Sequence, residues 1–183
     1  MSNFYGIYKQ SRDASWKFLI DNQICSLPLD FNPILTKMNL HLKADKQGLL
    51  SPHEKGATIL TEDVGYIILR PNASKAEKRY TVAHEIGHIV LGHINSGKHF
   101  IGTSEQEYQA ERFAIGILAP ACVLWGLGLH TPEEIASFCD ISLASAKIRA
   151  ERMKTLYARN AFLLSPLERQ VFQQFKPYID SLK

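Results

Sequence analysis

Apolar residues recur at three- and four-residue spacings along most of this chain, and short apolar runs between turn residues occupy one central stretch. That pattern predicts a mainly helical protein with a small sheet. A first helix is expected over Ser11–Asn22 with Trp16, Leu19 and Ile20 inward, and a second through Phe31, Ile34, Leu35 and Met38. Asn39–Lys43 reads as a strand, and Ala44–Lys55, with Gly48 and Pro52, as a loop. Ala57–Leu60 and Tyr66–Leu69 read as two strands of a hairpin turning at Glu62-Asp63-Val64-Gly65. A helix from about Glu77 to Leu91 should stop at Gly92, which suits a left-handed cap. Another begins near Ser104 and runs past Leu118 to Pro120. Thr131-Pro132-Glu133-Glu134, Ser142 and Ser165-Pro166 mark further helix starts. The expected class is α+β, with three short strands placed before the helix that ends at Gly92. Residues 1–128 are expected to form the main domain and residues 129–183 a helical subdomain packed on it.

The helix ending at Gly92 carries the most informative residues. It contains His84-Glu85-Ile86-Gly87-His88 within an apolar setting of Val82, Ala83, Ile89, Val90 and Leu91. Four residues apart on a helix, His84 and His88 share a face, and both imidazoles can reach one zinc ion. Glu85 then stands beside the metal, placed to take a proton from a water. Two His and a Glu also suit a solvated polar face, but the apolar flanks make this a buried helix whose polar groups need partners. Gly87 costs about 1 kcal/mol relative to Ala inside a helix, so it implies a close neighbour at that point.

Composition narrows the setting. The 183 residues are 45% hydrophobic and 21% charged, as in an ordinary globular protein. No run of the roughly 20 apolar residues a membrane span needs stands out, and the first residues do not resemble a signal peptide. Three cysteines without close pairs, Cys25, Cys122 and Cys139, read as reduced core residues, and a cytoplasmic location is expected. The net charge of +3 implies no polyanion partner by itself. From Ile141 onward, however, eight basic residues face three acidic ones, a local balance of +5.

A catalytic zinc takes three protein ligands and keeps a position open. His93 lies one residue short of the spacing at which a third His follows this motif. Glu107 and Glu111 are better placed, four apart on one face of the next helix, whose other side carries Ala110, Phe113, Ala114 and Ile117. One carboxylate can bind the ion while the other accepts the outer N–H of a liganding His. Ser104 and Glu107 also form a Ser-x-x-Glu capping box, a purely local role, and Glu105 is the fallback ligand.

The segment Arg79-Tyr-Thr-Val-Ala-His-Glu-Ile-Gly-His-Ile-Val-Leu-Gly-His93, with Glu107-Tyr-Gln-Ala-Glu-Arg-Phe-Ala114 and Leu118-Ala-Pro120, resembles the ImmA/IrrE family of metallopeptidases. The second motif of that family is typically Glu-x-x-Ala-Asn/Asp-x-Phe-Ala, which puts Glu107 at the third-ligand position. Here Glu111 stands in place of the usual Asn or Asp, and Ile117-Leu118-Ala119-Pro120 departs from the usual Leu-Leu-Met-Pro-like ending. The resemblance is strong over about Gly65 to Pro120. It implies a zincin-like core, zinc held by His84, His88 and Glu107 with Glu85 as general base, and site-specific cleavage of a helix-turn-helix transcriptional repressor.

Manganese or another divalent ion also suits two imidazoles and a carboxylate. Tyr66–Leu69 is the expected edge strand for an extended substrate. Tyr80, Tyr108, His93 and His99 are near in sequence as oxyanion donors. Two rival readings come from the C-terminal third. Glu133–Ala150 resembles a helix-turn-helix with Lys147, Arg149 and Arg152 on its second helix, which suits contact with DNA phosphate. Packing of these helices on the core, through a stripe of Ile148, Met153 and Leu156, is the favoured alternative. The other rival is a regulatory protein that binds a repressor with little proteolysis of its own.

Overall fold

A computed structural model describes residues 4–94 and 102–183. Among these are eight helices and three strands: α1 (Phe4–Asp21), α2 (Asn32–Lys37), β1 (Leu40–Ala44), β2 (Gly56–Leu60), β3 (Gly65–Leu69), α3 (Lys75–Val90), α4 (Ser104–Leu118), α5 (Ala121–Leu127), α6 (Pro132–Cys139), α7 (Leu143–Ala158) and α8 (Pro166–Ser181). This is the α+β, zincin-like class the sequence predicts. The chain divides into two compact units. The first comprises the chain up to Ser11 with Asp30–Ala114, and the second comprises Arg12–Leu29 with Ile115–Lys183. The expected boundary at residue 128 lies inside the second unit.

In the first unit the sheet order is β1-β3-β2, with β1 parallel and β2 antiparallel to β3. The hairpin is present, its turn closed by Thr61 N–H donating to the Val64 carbonyl at 3.0 Å. Tyr66–Leu69 is therefore the central strand, not an edge. A strand preceding the hairpin pairs with it in parallel and covers that side, leaving β1 and β2 as the outer strands. Both of its edges are paired, and Ile67, Ile68 and Leu69 are in the core.

α3 packs on β2 and β3 and buries Val82, Ala83 and Ile86. It starts at a capping box in which Ser74 and Glu77 exchange hydrogen bonds. It ends as expected at Gly92, whose φ of 72° is the left-handed conformation glycine tolerates. Gly87 marks where α4 comes close. A Cβ there would meet Phe113 Cδ1 at 3.0 Å and the Ala110 Cα and carbonyl oxygen at 3.3 Å. The two helices thus touch at backbone level.

In the second unit, α5 packs against α8 and α6 against α7, around Ile135, Met153, Val171, Phe175 and Ile179. Thr131 caps α6 with Pro132 in its first turn and a box to Glu134, as the sequence predicts. The Gln174 amide donates to the Leu19 and Ile24 carbonyls at 2.9 and 2.6 Å, and Tyr178 Oη donates to the Leu27 carbonyl at 2.6 Å. These bonds tie residues 12–29 to α8.

Two expectations are corrected here. Cys122 and Cys139 are buried, but Cys25 is exposed rather than in the core. On α7 the buried stripe is Ala146, Arg149, Ala150, Met153 and Leu156, while Ile148 is 50% exposed. At 3.6 residues per turn Ile148 points away from Met153 and Leu156, and Arg149 takes the inward position. The stretch Ser104–Leu127 is long and apolar enough to suggest a membrane span. It is mostly buried and breaks at Pro120 between α4 and α5, as a core helix pair does.

Candidate metal centre

α3 and α4 bring the expected ligands together. His84 Nε2 stands 2.9 Å from His88 Nε2 and 3.1 Å from Glu107 Oε2, and Glu107 Oε1 stands 3.5 Å from His88 Nε2. The ligand atoms of all three residues lie within 4.8 Å of one another. Zinc–ligand bonds of about 2.0–2.2 Å in a tetrahedral arrangement place ligand atoms roughly 3.3 Å apart. The observed spacings bracket that value, so this donor set fits a small divalent ion. His93 and Glu105 are not in the cluster among the described residues.

The local reading of Glu107 as a cap does not hold. The box at the start of α4 lies one residue earlier, where Thr103 N–H donates to Gln106 Oε1 at 2.9 Å and Gln106 N–H to Thr103 Oγ1 at 3.3 Å. Glu107 is left free to turn toward α3. The imidazoles beside it, His84 first and then His88, hold its carboxyl well below the usual carboxylate range.

Glu85 is 7% exposed. Burial raises its pKa, and a hydrogen bond from Thr58 opposes that rise, the hydroxyl donating to Glu85 Oε2 at 2.7 Å. Thr58 sits on β2, so the sheet sets the direction of this carboxylate. Gly56 on the same strand approaches it too: a Cβ there would lie 2.3 Å from Thr81 Cγ2 and 3.6 Å from Glu85 Oε1. Both residues escaped the sequence reading, because nothing local marks a strand threonine as the partner of a helix carboxylate 27 residues on.

The cluster opens into a cleft of about 400 Å³ whose walls include His53, Gly56, Tyr80, Thr81, Glu85 and Glu111. Arg70 braces the loop carrying His53, its guanidinium donating to the Glu54, Ser51 and Pro52 carbonyls at 2.6–2.8 Å. Of the four oxyanion donors considered, Tyr80 lies in the cleft, where burial foremost and then Glu111 push its pKa up to about 12. Tyr108 instead lies under the Arg112 guanidinium, 4.8 Å from its ring centroid. His93 sits behind His88, with its pKa lowered chiefly by burial. His99 lies outside the described residues.

Glu111 does not hold a histidine. It is exposed, 4.0 Å from the Arg112 guanidinium, and the buried Nδ1 of His84 has no hydrogen-bond partner among the described residues. The outer nitrogen that is held belongs to His88, and its partner is His93 Nδ1 at 3.0 Å. The spacing that keeps His93 out of the ligand set gives no sign of its place behind His88.

On α7, Arg149 is buried and donates from Nη2 to the Ile115 carbonyl at 2.8 Å, so it does not offer its charge to phosphate. Lys147 is exposed. A family model described as Peptidase_M78, IrrE N-terminal-like domain, matches residues 35–151. No curated protein matches the chain.

Proposed function

The chain belongs to the Peptidase_M78, IrrE N-terminal-like family of metallopeptidases, and from that premise we propose that it is a zinc-dependent endopeptidase that cuts a helix-turn-helix repressor at a specific site. The observation that carries this reading is the juxtaposition of His84, His88 and Glu107 with a buried Glu85 at the edge of an open cleft. His84, His88 and Glu107 would hold the ion; manganese suits the same donors. When bound, such an ion supplies Lewis acidity, lowering the pKa of a water toward about 7 and polarising a carbonyl.

Glu85 removes a proton from the attacking water and delivers it to the departing amine. Its burial raises the carboxyl's affinity for a proton. Thr58 fixes the carboxylate's rotamer through one oxygen and leaves the other for water. Tyr80, protonated across the neutral range, is the hydroxyl donor on the cleft wall suited to the oxyanion. An extended peptide is accommodated along β2, the outer strand whose Gly56 and Ala57 line the cleft, by pairing with the strand's outer edge.

Co-expression with the helix-turn-helix repressor encoded nearest the gene tests the substrate. The expected result is a shortened repressor with the unaltered chain and an intact one with Glu85→Gln. Undiminished cleavage by the variant would remove Glu85 from the mechanism.

A further inference from the structure

His88 is held from behind as well as from the cleft. At the end of α3, His93 N–H donates to the His88 carbonyl at 2.9 Å and Gly92 N–H to the Ile89 carbonyl at 3.1 Å. This pair of bonds around a left-handed glycine is a Schellman cap, and it folds the chain back over the last helical turn. The fold-back places His93 Nδ1 3.0 Å from His88 Nδ1. His93 Nε2 in turn lies 3.1 Å from Gln109 Oε1 on α4, and Gln109 Nε2 donates to Gln10 Oε1 on α1 at 3.0 Å.

The protons along this relay follow from its far end. Gln109 gives its NH₂ to Gln10, so its carbonyl oxygen faces His93. A carbonyl only accepts, so the hydrogen between them sits on His93 Nε2. A neutral imidazole with a protonated Nε2 has a bare Nδ1, which accepts. The hydrogen between the two rings therefore comes from His88 Nδ1, and His88 Nε2 keeps its lone pair facing His84 and Glu107.

We propose that His93, fixed by Gln109 and Gln10, is a positioning residue that locks His88 in the Nδ1–H tautomer and aims its Nε2 lone pair at the metal position. Metal-ligating histidines are commonly oriented by an acceptor on the outer nitrogen; here that acceptor is a second imidazole carried by the helix cap. His93 does not ligate from this place, since one of its nitrogens faces the back of His88 and the other is taken by Gln109. The consequence for affinity rests on the metal-centre reading, whereas the tautomer is a property of the metal-free chain.

Two measurements on the full chain test it. Ring-nitrogen NMR of the metal-free protein should find His88 protonated at Nδ1, and His93→Leu should convert it to a mixture of tautomers. Zinc affinity, measured by competition with a chromophoric chelator, should fall roughly 10–100-fold in His93→Leu. His93→Asn should recover most of it, because its Oδ1 replaces Nδ1 as acceptor. Unfolding midpoints of the metal-free proteins establish that each variant is folded, and the Asn rescue separates orientation from packing. A metal-free His88 protonated at Nε2, or a folded His93→Leu that binds zinc as tightly as the unaltered chain, would overturn the proposal. A chain that shows the Nδ1–H tautomer but binds no zinc would support the relay and overturn the metal reading instead.

Discussion

At the scale of single residues, the proposed function divides the site into groups that would hold an ion and a group that would transfer protons. Glu107 has no capping duty, since Thr103 and Gln106 perform it. Glu107→Gln should therefore lose most metal affinity while leaving the cap of α4 intact. By contrast, a lost cap would cost about 0.5–2 kcal/mol. Calorimetric zinc titration beside thermal unfolding checks both halves. Glu85→Gln should keep the metal and lose roughly 10²–10⁴-fold in rate, a split measured by metal content and by repressor cleavage. That His84 and His88 share a face was legible from spacing alone, because helical geometry is fixed. Glu107 needed the resemblance, because two overlapping capping patterns, Thr-x-x-Gln and Ser-x-x-Glu, compete for the same turn. Thr58 and His93 were not legible as supports. Their roles arise from a strand and a cap brought beside α3 only by the fold.

At the scale of elements, the α3–α4 contact decides whether the ligands meet. Gly87→Ala would drive a methyl against Ala110 backbone and the Phe113 ring. The backbone cannot step aside cheaply, so overpacking here should cost about 1–3 kcal/mol. It should also widen the gap that Glu107 must span to reach His84 and His88. The expected outcome is a lower unfolding midpoint together with weaker zinc binding; a drop in neither would mean that the helices are not held this close. Capped helix ends were legible, as Thr131-Pro132 and Gly92 illustrate, because caps have local chemistry, whereas α1 begins at Phe4 rather than at the expected Ser11. Sheet order was not. A hairpin announces its own pairing through its turn, but the parallel partner β1 carries no mark of which side it will cover, so the sequence does not reveal that β3 is central.

At the scale of the whole molecule, metal and protons should act on stability in different places. The candidate metal centre belongs to the first unit, and an ion that binds only the folded chain would stabilise it by linkage, about 2.7 kcal/mol at a free concentration 100 times Kd. Chelation should lower the unfolding midpoint of the unaltered chain and leave that of His88→Ala unchanged. In the second unit, Glu168 is 4% exposed, and burial raises its pKa above the ordinary carboxylate range. The folded chain then holds that proton more tightly than the unfolded one. The associated stability is complete below the ordinary value and is lost as pH rises through the raised one. Thermal unfolding from acid to neutral pH should show the unaltered chain losing ground to Glu168→Gln; a constant difference would contradict this.

The division into two units was outside the reach of the sequence, because residues 12–29 join α8 through backbone carbonyls accepting from Gln174 and Tyr178, bonds that leave no pattern upstream. The core of the account remains the metal centre. Elemental analysis of the purified chain and of His88→Ala tests it most directly. About one divalent ion per chain in the former and almost none in the latter is the predicted result; equal metal content in the two proteins would contradict it.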